Sequence, residues 1–235
     1  MLGNSIVELR QYTLFPGTRD EFAELFCREF VTTQEEVGMK LIGQFLDLGD
    51  PNRFVWMRSF PDMESRKESL TSFYFHSKAW ETHGESARTK MIDSTDALLL
   101  HPVENEYTHA VDVQEGFQSF NGIVIATIYY LPQAVDSDFL LFMDESVLPL
   151  LSQAGYRSIS CYATEHSPNN FPRLPVRERE NVFITCMTFN TLDAYHDHLV
   201  VLGNNPSWRQ EIYSKLVSRL LIRPQILRLA SIPTK

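Results

Sequence analysis

A chain of 235 residues with 43% hydrophobic and 22% charged side chains is an ordinary globular protein, neither disordered nor fibrous. Its formal charge of −9 argues against a nucleic-acid backbone or an anionic membrane as the principal partner. No apolar run approaches the ~20 residues of a membrane span and no signal-peptide pattern opens the chain, while the unpaired spacing of Cys27, Cys161 and Cys186 suits a reducing cytoplasm.

Ile6–Leu14 alternates, with Val7, Leu9 and Gln11 on one side and Glu8, Arg10 and Tyr12 on the other, and predicts a strand with two unlike faces. Pro16-Gly17 breaks it. Thr18 with Glu21 three residues on has the pattern of a capping box, and Phe22, Leu25, Phe26, Phe30 and Val37 follow at helical spacing. This greasy stripe is expected to lie on the Val7/Leu9 side of the sheet. Gly38 can take the conformation that ends a helix, and residues 39–48 return to strand. A turn at 49–52 leads to a third strand, 54–60. A short helix follows over 62–73, then a second helical segment that Ser77 would cap, carrying Trp80, Ala87 and Met91. A fourth strand at 97–101 stops at Pro102. The order β-α-β-β-α-β is the ferredoxin-like plan.

The second half repeats it. An offset of 117 residues sets Ile6-Val7 on Ile123-Val124, Tyr12 on Tyr129 and Gly38 on Gly155. Pro149 should kink the second copy's first helix or begin a new turn. A proline-rich loop over 167–177 then raises the offset, so that Phe60 matches Phe189 and Trp80 matches Trp208. Asn205-Pro206 is a cap and first-turn pair, and 226–232 mirrors the fourth strand. The polar stretch 104–121 reads as a linker, which sets the division at 1–105 and 106–235. A four-stranded sheet with two helices covers one face only, and the other face here is rich in aromatic and charged groups. Two copies packed open face to open face would form an eight-stranded barrel with helices outside.

The runs VELRQYTLFPG, GMKLIGQF and FVWMRSFPD resemble the NIPSNAP family of the dimeric α/β-barrel superfamily, over residues 6–103. The usual strand-three pattern carries His and Trp where this chain has Trp56 and Arg58. The resemblance implies a ligand-sized cavity between two sheets, in a superfamily that includes cofactor-free oxygenases, isomerases, haem enzymes and plain binding modules. The fold class expected is therefore α+β, two ferredoxin-like repeats closed into one pseudo-dimeric barrel.

Glu8, Arg10, Tyr12, Trp56 and Arg58 share the sheet face assigned to the barrel interior. Their counterparts in the second copy are Ile125, Thr127, Tyr129, Thr185 and Met187, so the polar set occurs once. The sharper reading is a lopsided cavity in which Arg10 and Arg58 hold a carboxylate or enolate-like oxygen. Glu8 and Tyr129 would join them in binding the substrate, Phe54 and Trp56 would wall the pocket, and Tyr12 and His76 would move protons. The plainer reading is a Glu8–Arg10–Arg58 ion network that only keeps enclosed charges paired. His76 and His101 read more simply as loop and strand-end histidines. His196 and His198, two apart on a helix, diverge and cannot chelate one metal together. Trp80 and Trp208 read as core, and Arg177-Glu178-Arg179-Glu180 as a solvated loop. No phosphate loop, GxSxG elbow or Cys/His nucleophile pair appears.

These residues predict a cytoplasmic protein that binds a small acidic or aromatic metabolite in the barrel cavity, with no cofactor or metal, and acts as a metal-free oxygenase or isomerase if it is an enzyme. Nucleic acid and membrane are not expected as partners; a homodimer of the pseudo-dimeric barrel is compatible with the pattern. The rival readings are a non-catalytic interaction or scaffold module with a filled interior and, more weakly, haem binding through His76.

Overall fold

The structure, a computed structural model, describes residues 5–107, 117 and 120–233. Most of the predicted linker, 108–116 and 118–119, lies outside the described residues. The first half runs β1 (Ile6–Leu14), α1 (Arg19–Leu25, the π turn Phe26–Phe30, then Val31–Glu36), β2 (Lys40–Asp47) and β3 (Arg53–Phe60). It ends with α2 (Met63–Thr71 and the π turn Ser72–His76), α3 (Lys78–Arg88) and β4 (Met91–Val103). The second half runs β5 (Ile123–Leu131), α4 (Ser137–Phe142, the π turn Met143–Val147, Leu148–Ala154), β6 (Ser158–Thr164) and β7 (Asn181–Phe189). It closes with α5 (Leu192–Asn204), α6 (the π turn Trp208–Ile212 and Tyr213–Val217) and β8 (Gln225–Ser231). No helix among the described residues is long and apolar enough to cross a membrane.

The eight strands close into an antiparallel barrel in the order β1-β3-β2-β8-β5-β7-β6-β4. β2–β8 and β4–β6 stitch one half to the other, through pairs such as Leu46 with Ala230 and His101 with Ala163. The result is two ferredoxin-like units forming one pseudo-dimeric barrel. The π turns Phe26–Phe30 and Met143–Val147 stand 117 residues apart, the offset read from the sequence. Gly38 and Gly155, at the same offset, end their helices at φ +90° and +87°. These are conformations that only glycine enters without strain. Pro149 sits in the first turn of Leu148–Ala154, where its missing N–H costs nothing. Asn205 caps as expected, its Oδ1 accepting from the Trp208 N–H. The Thr18/Glu21 capping box does not form. The Thr18 hydroxyl donates to the Phe15 carbonyl, and Glu21 is drawn away to an ion pair with Lys90 at 2.8 Å.

The largest correction concerns the faces of the sheet. Val7 and Leu9 point into the barrel, with Val55, Met57, Ile128, Ile184 and Leu229, and that lumen is packed hydrocarbon. The Glu8/Arg10/Tyr12 face lies beneath α1, where Tyr12 and Trp56 meet Phe22 and Phe26 edge-on. Alternation shows that two faces differ without saying which one the helices take. A closed lumen of eight strands is narrow and dry, so it admits side chains that need no partner. Charged groups can be satisfied beneath helices, where other side chains reach in from the second layer. One barrel end is closed by a polar chain in which Tyr130 donates to Gln225, and Gln225 to Gln11.

Candidate functional site

Each half keeps a layer between its helices and its own side of the barrel, and the two layers differ in content. In the first, Glu8, Arg10, Arg58 and Arg66 are all fully buried. Arg58 and Arg66 each hold Glu8 through two nitrogens, with Arg58 Nη2 on Oε2 and Arg66 Nη2 on Oε1, both at 2.7 Å. Arg10 Nη1 adds a third contact at 3.3 Å. Burial alone would raise the Glu8 carboxyl, but Arg58, Arg66 and Arg10 together hold it well below the usual carboxylate range. The remaining acceptors are neutral. Arg58 donates to Gln34 Oε1, Arg10 to the Tyr12 hydroxyl and the Ser94 carbonyl, and Arg66 to the side-chain oxygens of Asn169 and Asn170.

Phe54 and Trp56 lie in this layer and not in the barrel lumen, the Arg58 guanidinium 4.7 Å over the Trp56 ring. The space left beside them is about 20 Å³, room for about one water. Its cover comes from the other half. The β6–β7 connection, residues 165–180, crosses to the first half and sets Phe171 against Tyr74 and Phe75. Arg177, expected in solvent, instead fastens this strap to β4 by a 2.9 Å ion pair with Asp96 and lies over Tyr130. His76 is exposed at the end of its π turn and does not join the cluster.

The second layer is packed with apolar side chains but leaves a space. A cavity of about 400 Å³ lies between the sheet and α5–α6. Strand register accounts for the space. Where the first half pairs Arg10 with Trp56 and Glu8 with Arg58, the second pairs Thr127 with Thr185 and Ile125 with Met187. Short hydroxyl side chains replace a guanidinium and an indole, and volume opens above them. The cover is missing too. The loop equivalent to the strap is the short β2–β3 turn at 48–52, which stays against β8 through the Leu48 N–H and the Arg228 carbonyl.

Tyr129 belongs to this second cavity, apart from Tyr12 and the arginines with which the sequence grouped it. Burial pushes its hydroxyl up to about 12, so it stands as a proton donor at neutral pH. Trp208, expected as core, packs partly buried against it and also lines the cavity with Tyr213 and Leu216. Sequence reasoning weighed His198 only as a metal ligand. His198 is 1% exposed, and its Nδ1 lies 2.7 Å from the carbonyl oxygen of Gly155. That bond places the proton on Nδ1, and Nε2 has no protein partner. Burial lowers its pKa, outweighing the bonds to the Gly155 and Ala154 carbonyls. The signal was present in the stripe Tyr195, His198, Leu202, which is the buried face of α5. Arg66 carried no comparable signal, since it stands among Glu64, Lys67 and Glu68 in the charged first turns of α2.

Residues 7–105 match the family model described as NIPSNAP, and the first half is a NIPSNAP domain. No curated protein is found to match the chain. Solved structures that share the whole fold include the following three. A candidate monooxygenase from Lactobacillus acidophilus NCFM is 13% identical, with 97% of this chain and 94% of that one covered at a TM-score of 0.57. A candidate monooxygenase from Fusobacterium nucleatum is 9% identical, with 100% and 94% covered at 0.60. An anthrone oxidase-like protein is 10% identical, with 99% and 93% covered at 0.62. At these identities the likeness establishes the dimeric α/β-barrel fold, on which many chemistries are built.

Proposed function

We propose that this chain, whose first half is a NIPSNAP domain, binds a small, largely apolar, ring-bearing metabolite in the second-half cavity and relocates a proton on it. The observation that carries this is the His198 imidazole in the cavity wall, fixed in one tautomer by Gly155 and with a buried Nε2 that has no protein partner. A cavity of about 400 Å³ is of the size that small-molecule sites have. Its apolar wall with a few polar groups suits an aromatic ligand, and exposed Arg223 among the lining residues suits an acidic substituent on it. The site thus lies beneath the second half's helices, and the packed barrel lumen takes no part in binding.

In this reading Nε2 removes a proton from a carbon next to a carbonyl, and the electron pair moves onto that carbonyl oxygen. The protonated Tyr129 hydroxyl supports the charge, and the proton returns to a different atom. The net change is an isomerisation, balanced with no redox partner. A duplicated ancestor accounts for the asymmetry: one copy keeps its charges under a cover, and the other has exchanged them for space. A cytoplasmic setting suits the three free thiols of Cys27, Cys161 and Cys186. The test is deuterium incorporation from solvent at the α-carbon of a panel of aromatic ketones, followed by NMR. Exchange catalysed by the native protein and lost in His198→Gln supports the reading; no exchange in any compound overturns it.

A second reading has its own support. Leu199, Tyr213 and Ile226 line the opening at 44%, 53% and 53% exposure, with Leu221 and Ile222 also exposed nearby in sequence, and the barrel lumen is filled. Both features suit a non-catalytic interaction module. Loss of self-association or partner binding in Leu199→Asp, with ligand binding unaffected, would favour it.

A further inference from the structure

The first-half layer encloses three guanidinium groups around one carboxylate, leaving two positive charges in excess with no side-chain exposure. Enclosed charge without a counter-charge is costly, and neutral amide oxygens offset it poorly. The strap is what supplies those oxygens: Asn170 Oδ1 lies 2.8 Å and Asn169 Oδ1 3.1 Å from Arg66 Nη1. The next residue, Phe171, is 6% exposed with its ring 6.0 Å from that of Tyr74. A ring beside two oxygens on a guanidinium has the outline of an aromatic carboxylate. Trp56, which borders the residual space, is buried with its Nε1 lacking any protein acceptor.

We propose that the first-half layer is a second, strap-covered site for a small aromatic carboxylate, whose oxygens replace those of Asn169 and Asn170 on Arg66 and whose ring replaces Phe171. A carboxylate would supply the missing negative charge and accept a charge-assisted hydrogen bond from Nη1. The strap holds the site shut in the absence of ligand and competes with it. Its fastening at Asp96–Arg177, outside the cluster, lets the tip lift while the base stays attached. This inference is independent of the reading given to the second-half cavity.

The probe is benzoate, titrated calorimetrically into the native full-length protein and into Asn169→Ala/Asn170→Ala/Phe171→Ala. The expected result is binding at least tenfold tighter in the triple variant, abolished by adding Arg66→Gln. If the triple variant does not melt cooperatively, Phe171→Ala alone makes the same comparison. Equal affinity in the native and strap variants overturns the proposal. Binding that persists after Arg66→Gln belongs to the second-half cavity and overturns it as well.

Discussion

The Nδ1 of His198 lies 2.7 Å from the carbonyl oxygen of Gly155, and this contact fixes which ring nitrogen can accept a proton. Gly155 is the φ +87° residue that ends α4, so the turn that terminates one helix also orients the base on another. His198→Gln keeps a polar side chain of similar length and removes the base. Its proton-exchange activity should fall by about 10²–10⁴-fold, the usual contribution of a general base, with the melting temperature little changed.

The same imidazole sets a pH dependence with a definite sign. Its pKa is lowered on folding, so the neutral form is favoured in the native state relative to the unfolded chain. The stability this contributes is complete above about 6.5, the ordinary imidazole value, and is lost as pH falls through the folded pKa. The acid limb of kcat/KM should therefore lie below 6.5. Urea unfolding at pH 7.5 and 5 should show the native protein losing more stability than His198→Gln. Equal losses would mean that His198 is not the titrating group.

Met187 stands on the floor of the cavity at the position Arg58 holds in the first half. Met187→Trp should fill part of the 400 Å³ without crowding a packed core. Binding of 8-anilinonaphthalene-1-sulfonate, used as a probe of apolar cavities, should weaken tenfold or more while thermal stability holds or rises. A marked drop in stability would show that the space is not available to a side chain.

The fold was legible because its signals are local and recur. Gly38 and Gly155, the cap at Asn205 and the break at Pro149 each act within a few residues, and all appear where the pattern set them. The membership of the polar cluster was legible in part, as alternation put Glu8, Arg10 and Arg58 on one face. What failed was the choice of face, because that depends on which environment can supply partners. Arg66, Asn169 and Asn170 supply them from two other elements, and Asn170 lies 104 residues from Arg66 in the chain. The roomy cavity was hidden for the opposite reason. It arises from what Thr127 and Thr185 lack, and absent volume leaves no mark in a pattern of residue types.

Glu8 is the one carboxylate against three buried guanidiniums, so its neutral isostere should be costly. Glu8→Gln is expected to lower the unfolding free energy by about 3–5 kcal/mol, the range for stripping one partner from a buried ion pair. With its folded pKa lowered, Glu8 contributes stability that is complete above the ordinary carboxylate range and is lost progressively as pH falls from there to the folded value, so little is yet lost at pH 4. Native and Glu8→Gln stabilities should thus stay well separated at pH 4. Convergence at that pH would show the network to be weak.

Gly43 tests the claim that the barrel lumen is solid. The β2–β3 register slips between Leu41 and Gly43, and a Cβ at Gly43 would stand 2.5 Å from Phe45 Cζ and 3.1 Å from Phe117 Cβ. Both rings are fully buried, so neither can move aside into solvent. Gly43→Ala should cost about 1–3 kcal/mol, the usual range for overpacking. Phe45→Leu alone should also destabilise, since it leaves a void where the ring was. Together the two should be less damaging than the sum of each alone, because the added methyl enters the volume the ring vacates. A double-mutant cycle by urea unfolding measures that coupling. Simple additivity would mean that the lumen yields around Gly43, and a lumen that yields could also admit a ligand.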